Sequence, residues 1–206
     1  MKNIFYLFII FTIFSCGGGG SSAPAPAKAG SGSLEGYLLE AYKSGGAERA
    51  YKKDGENNPL EEGAVSNGTK QGTWLTFHTG RNAGVIKTSS SYVNGALNGP
   101  YLEFDNVGRM EKLAYYGNGI LHGRSTKFRF GKPLEEADYV NGQLDGIFRT
   151  YYNNATLQQE SNYKDGQKNG KATYYNEDGN IIMEYEYKNN EIESGGKVDP
   201  PRAPAE

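Results

Sequence analysis

Residues 139–154 read YVNGQLDGIFRTYYNN. Asn141-Gly142 is a dipeptide that accepts the positive φ a tight hairpin turn demands. Gly146 follows four positions on, then the aromatics Phe148, Tyr151 and Tyr152, with no run of Leu, Ile and Val to make a conventional core. The same design recurs with a period of about 24 residues. Turn pairs stand at Asn67-Gly68, Asn94-Gly95, Asn118-Gly119, Asn141-Gly142 and Asp165-Gly166, with a worn pair at Asn189-Asn190. A second glycine follows at Gly72, Gly99, Gly123, Gly146 and Gly170, and a third column holds Gly80, Gly108, Gly131 and Gly179, with Ala155 in the fourth copy. Tyr92, Tyr116, Tyr139, Tyr163 and Tyr187 each stand three residues before the turn position.

Each copy reads as a β-hairpin. On the return strand, Ser90/Tyr92, Ala114/Tyr116, Ala137/Tyr139, Ser161/Tyr163 and Tyr185/Tyr187 alternate with polar residues such as Glu136, Asp138, Glu160 and Asn162, the mark of a half-buried strand. The outgoing strand carries two aromatic columns, one of Trp74, Tyr101 and Phe148, the other of Phe77, Phe104, Phe128, Tyr151 and Tyr175. They are three apart, an odd parity, so they face opposite sides or are separated by a bulge. No single copy buries enough to fold, so each lends its aromatic face to its neighbours. The expected fold is all-β: tandem β-hairpin repeats in an elongated, twisted antiparallel sheet. About twelve or thirteen strands would extend roughly 55–60 Å. The worn last copy, with Glu191 and Glu193, suits a sheet edge that must not pair with other chains.

The pattern NG-x-x-x-G-x-aromatic-x-x-aromatic, closing on Gly and then Tyr, resembles the MORN-variant repeat of bacterial proteins, including YwqK-type antitoxins. The resemblance spans Gly63 to Glu193. GYLLEAYKSGGAERAYKKDG (Gly36–Gly55) aligns with Gly99–Gly119 as a degenerate first copy, leaving ENNPLEEGAVS (Glu56–Ser66) as an insertion or shortened strand. The family implies the hairpin architecture and, in its antitoxin members, neutralisation of a toxin. It implies no common catalytic or ligand-binding set.

The N-terminus has another purpose. In MKNIFYLFIIFTIFSC, Lys2 is a short basic start and Ile4–Phe14 an apolar segment of secretory-signal length. IFSC, Ile13–Cys16, resembles the bacterial lipobox, with Phe14 where a small or β-branched residue is usual. By that resemblance, residues 1–15 are a lipoprotein signal peptide and Cys16 is the lipidated N-terminus. Several acyl chains anchor firmly, each buried CH₂ contributing about 0.8 kcal/mol. Residues 16–33 read as a flexible Gly/Ser/Ala/Pro tether, 34–194 as the repeat domain and 195–206 as a disordered tail. Gly17 after the Cys implies passage to the outer membrane in lipoprotein sorting, with the leaflet open.

The 206 residues include 29 Gly and 16 Tyr against one Trp, and the net charge is −2. That balance gives no reason to expect nucleic acid as a partner. The lone Cys16 excludes an intramolecular disulfide and a Cys-rich metal site, and His78 and His122 read as turn or surface residues. No G-x-S-x-G or P-loop occurs, and the acidic pairs Glu61/Glu62, Glu135/Glu136 and Glu177/Asp178 fall on turns or polar strand faces. The expectation is therefore a non-enzymatic protein with no cofactor and no metal. Tyr combines stacking area with a hydrogen-bonding tip and is favoured at interfaces. The pairs Tyr151-Tyr152 and Tyr174-Tyr175 put one ring on each strand face, leaving Tyr152 and Tyr174 as recognition candidates; the plainer alternative is that both rings cover sheet. The expected role is a lipid-anchored envelope scaffold binding a protein along its sheet. The alternatives are a toxin-neutralising or immunity protein, or a glycan-binding surface lipoprotein.

Overall fold

A computed structural model describes residues 34–42 and 46–198. The signal segment, Cys16, the tether and residues 199–206 lie outside the described residues. The chain forms one open antiparallel sheet of fifteen strands. They are β1 (Leu38–Ala41), β2 (Ala47–Lys53), β3 (Pro59–Ser66), β4 (Thr69–Phe77), β5 (Ile86–Val93), β6 (Ala96–Phe104), β7 (Met110–Gly117), β8 (Ile120–Leu121), β9 (Gly123–Arg129), β10 (Lys132–Val140), β11 (Gln143–Tyr151), β12 (Leu157–Lys164), β13 (Gln167–Tyr175), β14 (Ile181–Lys188) and β15 (Glu191–Lys197). Each pairs with its chain neighbours, except that β9 continues from β7 while the short β8 pairs only with β7. The expected elongated, twisted sheet of tandem hairpins is what forms. Fourteen strands stand in line, more than the twelve or thirteen expected, and at ~4.8 Å spacing they extend roughly 60 Å.

The turn pairs work as their chemistry requires. At Asn141 and Gly142, φ is 50° and 82°, both positive, which is the type I′ geometry that matches strand twist. Even the worn pair Asn189-Asn190 adopts it, at 49° and 71°. The turns also lock one copy to the next. The amides of Gly95, Gly119, Gly142, Gly166 and Asn190 donate to the carbonyls of Lys70, Leu97, Leu121, Leu144 and Lys168, at 2.7–2.9 Å. One long edge of the sheet is thus a stack of turns joined by backbone hydrogen bonds.

The second glycine column shares a positive φ, from 63° at Gly72 to 124° at Gly146, and at two members the space beside the backbone is also taken. At Gly146 φ is 124° and an added Cβ would lie 2.9 Å from the Asp138 Cβ; at Gly99 it would lie 3.2 Å from that of Ser91. The outgoing strand there carries extra residues relative to the return strand before it, for instance between the pairs Ala137↔Phe148 and Tyr139↔Leu144. A different bulge recurs at the opposite edge. Thr150 pairs with Gln159 but Tyr151 with Leu157, so Gln158 is the extra residue, and the same shift follows Thr76, Glu103 and Tyr174. The bulges lie on the return strands. The outgoing strands stay regular between their aromatic columns, which therefore face opposite sides.

Three boundaries differ from expectation. Glu56–Ser66 is not an insertion: its residues from Pro59 form the full strand β3, paired with both β2 and β4. The alignment of Gly36–Gly55 is one strand out of phase, because the loop after β2 has the geometry of the loops opposite the Asn-Gly edge. Asp54 Oδ1 accepts from the amides of Glu56 and Asn58 as Asp105 Oδ1 accepts from Val107 and Arg109. The tail begins later than Gly195, since Gly195, Gly196 and Lys197 pair with β14.

Among the described residues no second layer packs on the sheet; only neighbouring strands touch extensively. The core is instead a thin row on one face. Ala114, Leu121, Ala137 and Tyr139 form its middle, with Tyr116, Leu144 and Phe148 against them. Ala50, Val65 and Trp74 form its first end, with Leu34, Tyr37 and Tyr92. Gly63 lacks a side chain because the Trp74 ring lies directly on it.

Candidate interaction surface

The face that holds this core carries a ladder of rings, here called the ring face. Small residues on the return strands (Ser90, Ala114, Ala137 and Ser161) are buried and leave space for rings from either side. Tyr37 meets Trp74 and Trp74 meets Tyr92 edge-on, at 5.7 and 6.4 Å between centroids. Tyr101–Tyr116, Phe148–Tyr163, Tyr174–Tyr185 and Tyr185–Tyr187 repeat the arrangement at 5.8–6.1 Å. Edge-to-face geometry sets the positive ring edge against the negative ring face, contributing about 0.5–1.5 kcal/mol per pair beyond burial. Burial pushes the Tyr101 hydroxyl up to about 12, with Glu103 adding to it. At the first end, Tyr37, Trp74 and Tyr92 surround Lys70, whose ammonium lies 4.0 Å from the Trp74 ring centroid and pairs with Glu61. That aromatic cage is filled by the chain's own cation.

Beside the rings runs a polar row. Glu103 pairs with Lys112 in register, Lys112 with Lys127, and Lys127 with Glu135. Burial holds Lys112 below its usual value; Lys127 works the same way, while Glu103 and Glu135 oppose it.

The opposite face is closed by its own ion pairs. Arg124 binds Asp138 through two nitrogens at 2.9 and 3.2 Å, and Arg149 binds Glu160 at 2.7 Å. Tyr151 donates to Glu136 at 2.9 Å, and its hydroxyl is pushed up to about 12, first by burial and then by that hydrogen bond. Burial works to raise Asp138, but the hydrogen bonds from Arg124 and the Ile147 amide, with the charges of Arg124 and Arg149, hold it below the usual carboxylate range.

Both recognition candidates are half-buried and engaged within the fold. Tyr152 lies in the loop after β11, where its hydroxyl donates to the Tyr175 carbonyl of the next copy at 2.7 Å. Tyr174 lies on the ring face against Tyr185, its hydroxyl 3.4 Å from Lys168 Nζ. The histidines also join copies. His78 Nε2 lies 3.0 Å from the Phe104 carbonyl, and His122 Nδ1 lies 3.5 Å from the Asn141 amide. Among the described residues no group of three His, Cys, Asp or Glu could hold a metal ion, and no helix is long and apolar enough to cross a membrane.

The residue missed by sequence reasoning is Phe130. It was neither in an aromatic column nor in a turn pair, yet it forms a two-residue turn with Gly131 at φ 52°, and it is 75% exposed. The available signal was an aromatic directly before a column glycine in the copy with the shortest spacing.

No protein-family model matches the chain, and no curated protein does. Among solved structures, a crystal structure of TarM aligns with 76% of this chain at 11% identity and a TM-score of 0.24. This chain spans 22% of that one. A likeness of that size carries no functional argument.

Proposed function

We propose that the chain is a non-enzymatic scaffold of the bacterial envelope, lipid-anchored at Cys16, that holds a protein partner along its ring face. The observation that carries the reading is the ring ladder itself, laid along a sheet one layer thick. Tyrosine edges and hydroxyls beside a polar row offer the mix of apolar area and hydrogen bonding that interfaces favour. The opposite face, with its arginines already committed to carboxylates, has less to give. The lipobox-like IFSC and the Gly/Ser/Pro tether support an anchored domain held off a membrane.

Tyr116 and Tyr115 are consecutive on β7 and point to opposite faces, so they make a paired test. A photo-crosslinking amino acid at Tyr116 should capture one protein in the envelope fraction, whereas at Tyr115 it should not. Cys16→Ala should release the chain from membranes and remove acyl labelling. Capture from Tyr115 alone, or unchanged membrane retention of Cys16→Ala, would refute the corresponding half of the reading. Retention on polysaccharide that Tyr152→Ala or Tyr174→Ala abolishes would replace the scaffold with a glycan binder. Rescue from a co-expressed toxin would replace it with a neutralising factor.

A further inference from the structure

The β9–β10 hairpin end is built against the interests of the fold. A bulky side chain at positive φ is strained, yet Phe130 stands at 52° where Asn or Gly would rest easily. Among the described residues its ring is the most exposed of the large hydrophobics, at 75%, and the next, Val107 at 65%, lies in the adjoining β6–β7 loop. Arg129 and Lys132 then close the hairpin as a directly opposed pair, and like charges at that spacing repel. Lys132 has no partner among the described residues, and Arg129 reaches only Asn153, at 3.5 Å.

The same groups frame a hollow of about 350 Å³ lined by Arg129, Phe130, Lys132, Pro133, Leu134, Tyr152 and Asn153. Its wall is apolar, its rim carries two cations, and no carboxylate lines it. Leu134 reaches the wall as the extra residue of the β10 bulge. Tyr152 is fixed there by its bond to the Tyr175 carbonyl. Phe130 is held from its other side: the Arg109 guanidinium lies 5.1 Å from the ring centroid and is oriented by Asp105 at 2.7 Å. A strained, exposed and braced ring is preorganised for contact, which lowers the ordering cost of binding.

We infer that this end of the β9–β10 hairpin is a docking point for an acidic peptide segment of a partner protein, which seats an apolar side chain beside Phe130 and sets carboxylates on Arg129 and Lys132. Charge complementarity selects the occupant: the two opposed cations are relieved only by an anion, and the apolar wall only by a side chain. The inference rests on the scaffold reading for its class of partner but uses a different surface, so the two fail separately.

The test is selection of a phage-displayed peptide library on the full chain. Enriched peptides should carry acidic residues flanking an aromatic or aliphatic one. They should bind about tenfold more weakly to Lys132→Glu and to Phe130→Asn. Phe130→Asn should at the same time raise the melting temperature by roughly 2–4 °C, because Asn tolerates the turn φ, so its loss of binding is not a loss of folding. Enriched peptides without acidic residues, or peptides that bind both variants unchanged, would overturn the docking point. Binding of phosphatidylglycerol vesicles that Phe130→Asn abolishes, with no peptide enriched, would assign the tip to a membrane surface and also overturn it. Crosslinking at Tyr116 that persists in Phe130→Asn leaves the ring-face scaffold standing in either case.

Discussion

Ala155 occupies the column that Gly108, Gly131 and Gly179 fill elsewhere, and it does so at φ 72°. The left-handed region costs a non-glycine residue roughly 1 kcal/mol. Ala155→Gly should therefore stabilise the protein by about that amount, read as a higher urea midpoint with unchanged slope. Gly146→Ala should do the reverse and cost about 2 kcal/mol or more, because it adds strain at φ 124° to a contact of 2.9 Å with Asp138. If the two changed stability in the same direction, backbone conformation would not be what sets these columns. Glycine was read correctly from sequence at these positions because its physical reason is local. Phe130 was not, because nothing local explains it; only its exposure and the opposed Arg129 and Lys132, visible in three dimensions, set it apart.

At the scale of the strand, tyrosine burial couples stability to alkaline pH. Tyr101 and Tyr151 are both pushed from the ordinary 10.0 to about 12, each first by burial. Between about pH 10 and 12 the unfolded chain loses these protons while the folded chain keeps them, so stability falls as pH rises through that window. Urea midpoints measured across it should drop for the wild type and drop less for Tyr101→Phe, which keeps the ring and removes the ionisable group. Parallel curves would mean that the ladder does not exclude water. The strands themselves were legible wherever Asn-Gly and Tyr marked their ends. Strand β3 escaped because Gly63 holds a place that four other copies give to Ser or Ala and the last to Tyr185, emptied so that the large Trp74 ring can lie across it. The phase of the first copy escaped for a related reason: Asp54-Gly55 imitates a turn pair, but Asp54 spends its carboxylate on the amides of a longer loop.

Among the described residues the extensive contacts run from each strand to its neighbours in the sheet, and longer reaches such as Tyr37 to Trp74 are made by single side chains. Such arrays gain stability by addition of near-equal interfaces. Deleting residues 143–166 would join Gly142 to Gln167 and retain both the turn and the glycine spacing that follows it. The shortened chain should fold, with its longest dimension in small-angle scattering reduced by about 10 Å and a lower melting temperature. Complete loss of sheet signal in circular dichroism would show instead a globule-like dependence on every part. The two long margins of the sheet are also unequal in what they tolerate. Along the Asn-Gly margin, from Gly95 to Asn190, the amide of each second turn residue is spent on the copy before it, so the pitch there is set like the binding of a book. The other margin, among the described residues, lacks that backbone ladder and is joined only through side chains such as His78 and Tyr152: it already carries a two-residue end at Phe130-Gly131, five-residue Asx loops such as Asp105–Arg109, and a longer excursion with a 3₁₀ turn at Gly80–Asn82. New text can be written there without disturbing the spine, so relatives of this chain should differ in their loops on that margin while their turns on the other stay alike.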